Sequence, residues 1–299
     1  ISPQTPVITF LIMTVARMAA ADKDLIKPTL LGMLAGFIVT LLGIIPIGIA
    51  ALLFGESDFG GWIIGLMGAV LAFIQYTVAY IFSAMTIYLI YGYLSEGDGR
   101  MDKAWSIVKR DAVDILSLAA ASTAVNLVKG FVEGKGNRRN PIRSGLANLL
   151  NSVWTQAVYL VLPVMVIEDV NLKDGLKRVG QIVRDNLVLI GVTFVGVKVV
   201  TGLIGFLLGA TGIALGLGIA LGLVSLGGGA AAYSITGITL GVLVGFIFII
   251  TATAISSYTT TAYHTCLYLW ARDVERARLS GQTYQAVPAP APLAAVLNQ

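Results

Sequence analysis

The chain is poor in charge. Only 12 % of its 299 residues are Asp, Glu, Lys or Arg, about half the share a soluble domain carries. From Val199 to Ala271 there is no charged residue at all. A soluble fold puts charge on every exposed face, so this run excludes a water-exposed domain. Cysteine is reduced to Cys266, which excludes a disulfide framework within the chain. The single histidine, His264, excludes most metal-hydrolase designs. There is no Ser-His-Asp order, no His-Glu-x-x-His and no glycine-lysine phosphate loop. No Asn-x-Ser/Thr acceptor occurs, which speaks against a glycosylated surface protein. Neither an enzyme nor a resident cofactor or metal is expected.

What is present is apolar: 57 % of residues are hydrophobic. A helix needs about 20 apolar residues to cross a bilayer. The runs predict an all-α integral membrane bundle of about six transmembrane helices plus interfacial amphipathic helices, over 28–54, 62–94, 112–132, 144–167, 187–209 and 237–270. A glycine-rich hairpin or re-entrant element is expected over 210–235. Residues 1–27 read as an interfacial N-terminal helix, with Ile8, Leu11, Ile12 and Val15 at helical spacing. Met101, Trp105 and Val108 mark one face of a surface helix, and Leu172, Leu176, Val179 and Val183 mark another. Pro46 is expected to kink the first span. Residues 272–299 form a basic helix end and an extended Pro/Ala tail.

Basic residues follow the apolar runs at 95–114, 168–186 and 272–278, and the 55–61 turn has no Lys or Arg. The positive-inside rule then puts both termini on the cytoplasmic side of a cell membrane. The loop at 133–143 (Lys135, Arg138, Arg139, Arg143) falls outside, against that rule. The net charge of +4 sits in loops and implies anionic lipid headgroups rather than nucleic acid.

Several stretches resemble a family of prokaryotic membrane proteins, domain-of-unknown-function family six-one-five-nine. They are the Tyr80-Ile-Phe-Ser-Ala-Met run with its Gly97-Asp98-Gly99 turn, the Val153-to-Tyr159 run, and Leu162-Pro-Val-Met-Val-Ile-Glu168 ahead of a basic helix. Tyr263-to-Ala271 is the last. The resemblance implies a six-helix membrane protein and supplies no activity and no catalytic residue.

Four constellations carry the functional expectations. Lys198 is an ionisable group in a span, flanked in helical projection by Gly191, Gly202, Gly205 and Gly209, with Gly212 and Gly216 beyond. Such groups face a cavity or partner, and small residues mark close packing. The second is a polar stripe at Ser257, Thr260, Thr261 and His264; it would line a path or hydrogen-bond between helices. The third, Asn148, Asn151 and Gln156 with Ser152, Thr155 and Tyr159, forms another on the fourth span. The fourth is Pro163 to Glu168, where Glu168 reads as a charge at a helix end. These point to a homo-oligomeric pore or transport-type protein. The alternative is a scaffold that organises lipid or other membrane proteins.

Overall fold

The computed structural model describes residues 17–55, 57–133, 141–185, 187–227, 231–281 and 287–288; for 58, 141–142, 185, 187–198, 200 and 232 it describes backbone only. All regular structure among them is helical. We number the helices α1 (Lys27–Phe54), α2 (Asp58–Glu96), α3 (Met101–Arg110), α4 (Ala112–Glu133), α5 (Pro141–Glu168), α6 (Leu172–Asp185), α7 (Leu187–Leu226) and α8 (Ala231–Leu279). Six of these, α1, α2, α4, α5, α7 and α8, are long and apolar enough to cross a membrane. The protein is therefore a helical membrane bundle, as the apolar runs predict.

Three helical hairpins make the bundle: α1–α2, α4–α5 and α7–α8. Helix α8 packs against α7 along much of its length and also meets α2, α5 and α1. Glycine sets the closest approaches. A Cβ at Gly216 would strike the Gly241 carbonyl, and one at Gly212 would strike Phe248. In the α1–α2 hairpin, Gly32 and Gly43 take the same role against Phe82 and Leu71. Without a hydrophobic drive between helices in lipid, such close contacts hold a bundle together.

The charged residues gather at one end, where α3 and α6 lie. Here the core is densest: Leu89, Ile90, Ile115, Leu118, Leu160, Met165, Tyr263, Leu267 and Tyr268 are fully buried. Gly97, at φ +79°, ends α2 in the left-handed conformation that glycine adopts without penalty. Asn171 caps α6 by accepting from the Asp174 amide at 3.0 Å.

Residues 210–235 span the turn of the α7–α8 hairpin: α7 runs unbroken to Leu226 and α8 begins at Ala231. Gly212 and Gly216 face the antiparallel α8. At the start of the described chain, Met18 and Leu25 are buried in the core, and Asp22 accepts from the Gly99 amide at 2.9 Å; residues 1–16 lie outside the described residues. Trp105 leaves the packed face of α3, where Ala104 and Val108 are buried; it stands exposed beneath the Lys109 ammonium at 5.6 Å. Helix α1 continues through Pro46. The Pro/Ala tail begins against the core, where the Trp270 indole donates to the Val287 carbonyl at 3.3 Å; residues 289–299 lie outside the described residues.

Candidate functional site

Midway along the bundle, polar groups of α1, α2, α4, α5 and α8 meet in one seam. Its hub is Ser122 on α4. Its hydroxyl lies 2.7 Å from the Tyr80 hydroxyl and accepts the Trp154 indole N–H at 2.9 Å. In an apolar surrounding each of these groups needs a partner, so one serine oxygen fixes three helices in register.

Two clefts flank the seam and share Ser83 and Thr261. One lies between α2, α5 and α8, against Tyr80, Tyr159 and His264. The other, of about 150 Å³, lies between α1, α2 and α8, against Thr29, Thr86 and Ser257. Tyr159 stacks on His264 with ring centroids 4.6 Å apart, which makes it the lipid-side cover of that histidine. His264 itself is buried, its Nδ1 2.7 Å from the Thr260 carbonyl oxygen. A larger groove of about 430 Å³ near Pro46, between α1 and α2, is lined by apolar side chains and suits a lipid tail.

The structure brings together Ser257, Thr261 and His264. Thr260 instead returns its hydroxyl to the Ser256 carbonyl at 2.7 Å, and so is satisfied within its own helix. Asn148 stands exposed and Asn151 half-buried toward the end of α5 away from the charges, outside both clefts. The Gln156 amide oxygen is buried and has no hydrogen-bond partner among the described residues. Lys198 and Gly191 lie on α7 where side chains are outside the described residues, and so do the roles expected of them.

The glycine stripe divides. Gly212 and Gly216 face α8, and Gly205 approaches Ser256, but a Cβ at Gly202 or Gly209 would meet nothing within 4 Å. The glycines 202, 205, 209, 212 and 216 repeat every 3.5 residues, whereas a straight helix turns every 3.6. The stripe drifts by about 20° per heptad, which turns it onto α8 toward Gly212 and Gly216.

The sequence reading passed over Tyr80, Ser83, Ser122 and Trp154. Tyr80 and Ser83 sit in a run singled out only for its resemblance. Ser122 has the signal of a lone hydroxyl pair, Ser122-Thr123, inside a short apolar helix.

At the charged end, a second cluster ties α5, α6 and α8. Glu168 accepts from the Tyr268 hydroxyl at 2.6 Å and from Arg178 Nε at 3.4 Å. Arg178 also makes a bidentate pair with Glu275. The Glu275 hydrogen bond, with the charge of Glu168, raises the Arg178 guanidinium above its ordinary pKa despite its partial burial. Arg110 likewise bridges Asp111 at 2.6 Å and Asp169 at 3.1 Å, joining the end of α3 to the end of α5. Glu168 thus closes an interhelical ion network rather than a site, and the arrangement offers no group poised for catalysis. No cluster of His, Cys, Asp and Glu suited to a metal occurs among the described residues. No protein-family model, curated protein or solved structure matches this chain.

Proposed function

We propose that the protein is a transport-type protein of a prokaryotic cell membrane, with its path along the seam between α2, α5 and α8. One observation carries this reading: polar side chains from three hairpins converge around two clefts that share Ser83 and Thr261. A structural network alone would be satisfied by the Tyr80–Ser122–Trp154 triad. Open space beside further hydroxyls is what a hydrated path needs. This reading places the path within one protomer rather than on the axis of an oligomer.

The orientation follows from charge. Lys103, Lys109, Arg110, Lys173, Lys177, Arg178, Arg184, Arg272, Arg276 and Arg278 share the end that bears α3 and α6. The positive-inside rule makes this the cytoplasmic end. The resemblance to the family of unknown function agrees with a six-helix membrane protein and leaves the substrate open.

The test is thiol chemistry in a Cys266→Ala background. Cysteines at Ser257 and Thr261 are expected to react with a membrane-impermeant thiol reagent in proteoliposomes, because only a hydrated thiol ionises. A cysteine at the fully buried Leu267 is the protected control. Protection at both 257 and 261 overturns the reading.

A second reading, a scaffold on lipid, is favoured by one observation: Trp105 is exposed on α3 with Lys109 over its ring. An aromatic with a lysine at an interface is an anchor, and it is compatible with transport.

A further inference from the structure

The three hairpins are of unequal height. Tyr80, Ser122 and Trp154 share one level, because they hydrogen-bond to one another. At the helical rise, α2 climbs about 33 Å from Tyr80 to Asp58, whereas α4 climbs about 16 Å from Ser122 to Glu133 and α5 about 20 Å from Trp154 to Pro141. The α7–α8 hairpin matches the tall one. Ser257 shares a cleft with Thr29 and Thr86, and from that level α8 climbs about 39 Å to Ala231, α1 about 38 Å to Phe54 and α2 about 42 Å to Asp58. The described helices α4 and α5 therefore stop about 15 Å short of their neighbours.

The tall tips are apolar and bare. Leu52, Phe59 and Trp62 on one hairpin, and Leu221, Leu226 and Ile235 on the other, are all strongly exposed. They need hydrocarbon around them. The short hairpin ends instead in Lys129, paired with Glu133 at 4.0 Å, and in the exposed Arg143. These groups need headgroups or water. Tilt of the tall helices and thinning beside the short pair are the two ways one bilayer can match both, and the charges at Lys129, Glu133 and Arg143 draw headgroups in on the short side.

The polar groups follow that thin edge. Asn126 and Asn148 are exposed below the tip, and Asn151 is half-buried. Next come Gln156, with its unpartnered buried oxygen, and Tyr159 at the mouth of the cleft over His264. This is a polar stair open sideways to lipid. It fits a molecule whose head needs hydrogen bonds and whose tails stay in hydrocarbon. A cation stands at each end, Arg143 at the tip and Lys109 over Trp105 at the other, and complements a phosphate.

We propose that the substrate class is phospholipid: the short hairpin thins the bilayer, and the seam passes the phosphate-bearing headgroup between leaflets while the acyl chains remain outside. This inference rests on the transport reading and assigns its substrate.

The test uses the full chain in vesicles of phosphatidylglycerol and phosphatidylcholine carrying a trace of headgroup-labelled fluorescent (NBD) phosphatidylethanolamine. Dithionite added outside bleaches the outer leaflet, leaving about half the signal in protein-free vesicles. With the protein, the inner-leaflet signal is expected to fall as well, while NBD-glucose trapped in the lumen stays fluorescent. The pair Asn151→Leu and Gln156→Leu should slow the inner-leaflet loss at least tenfold, and Leu146→Ala on the lipid face should not. Bleaching of the lumenal probe overturns the lipid assignment and leaves a solute path. An intact inner leaflet beside reactive cysteines at 257 and 261 also overturns the lipid assignment alone. An intact inner leaflet with both cysteines protected overturns the transport reading too. Unchanged rates in the well-folded Asn151/Gln156 pair overturn the stair.

Discussion

The hydroxyl of Tyr268 on α8 reaches the Glu168 carboxylate at the end of α5 at 2.6 Å, and Arg178 of α6 grips both Glu168 and, through Glu275, α8 again. Two consecutive helices and the far α8 are thus held by one guanidinium. The amphipathic helix α6 is seated by this grip as much as by its buried Val179 and Ile182.

Arg178→Ala should therefore free α6. Removing a charged hydrogen-bond partner at a half-buried site costs about 1.5–3 kcal/mol. We expect a lower melting temperature in detergent and faster amide exchange across 172–185. Arg178→Lys should rescue little, because an ammonium cannot bridge two carboxylates with a planar fork. Unchanged exchange in the alanine variant would show that the apolar face alone seats α6.

The start of α6 responds to pH in one direction. The hydrogen bond from Asn171, with help from Lys177, holds the Asp174 carboxyl below its ordinary pKa. A lowered folded-state pKa contributes stability above the unfolded value of about 3.9, and that contribution is lost as pH falls through the folded one. Protection from exchange at the first turn of α6, taken relative to the intrinsic rate at each pH, should be flat from about pH 5 to 8 and fall only below about pH 4. A fall near neutral pH would assign the sensitivity to another group.

Ser122 is a hub with no substitute. In Ser122→Ala, the Trp154 indole and Tyr80 hydroxyl both lose their partner, at a cost of about 1–3 kcal/mol. Thermal unfolding in detergent measures the loss. Tyr80→Phe removes one bond and leaves Trp154 satisfied, so it should be milder. Equal loss in the two variants would contradict the hub.

The glycines divide by what they face. Gly216→Leu should pry α7 from α8, because its side chain meets the Gly241 carbonyl. Gly202→Ala has open space and should be neutral or stabilising by about 0.5–1 kcal/mol through helix propensity. Disulfide trapping between cysteines placed at Thr201 and Ser256 reads the hairpin directly, since the Ser256 hydroxyl reaches the Thr201 carbonyl at 3.2 Å. Efficient trapping in Gly216→Leu would sink the packing argument.

Much of the fold was legible because the bilayer asks a simple question of sequence. Apolar runs near twenty residues gave the six spans, and Leu172, Val179 and Val183 gave α6. What escaped was relational. Whether Gly202 or Gly212 meets a neighbour depends on a tenth of a residue per turn, which composition does not encode. That α7 stays helical to Leu226 depends on the α8 glycines opposite it. The seam was half visible: Thr261 and His264 stand out as polar residues in an apolar helix. Tyr80, Ser122 and Trp154 looked ordinary, because only the pairing of two hairpins makes them one group.

Helix α8 joins these regions in a single rod. It begins in the bare glycine hairpin, passes His264 at its buried middle, and ends at Glu275 beneath Arg178. Between Tyr258 and Ala271 it is clamped by the core on nearly every side. A rod held over that stretch keeps His264 in the seam and Glu275 under Arg178 at a fixed spacing, so the seam and the seating of α6 share one ruler.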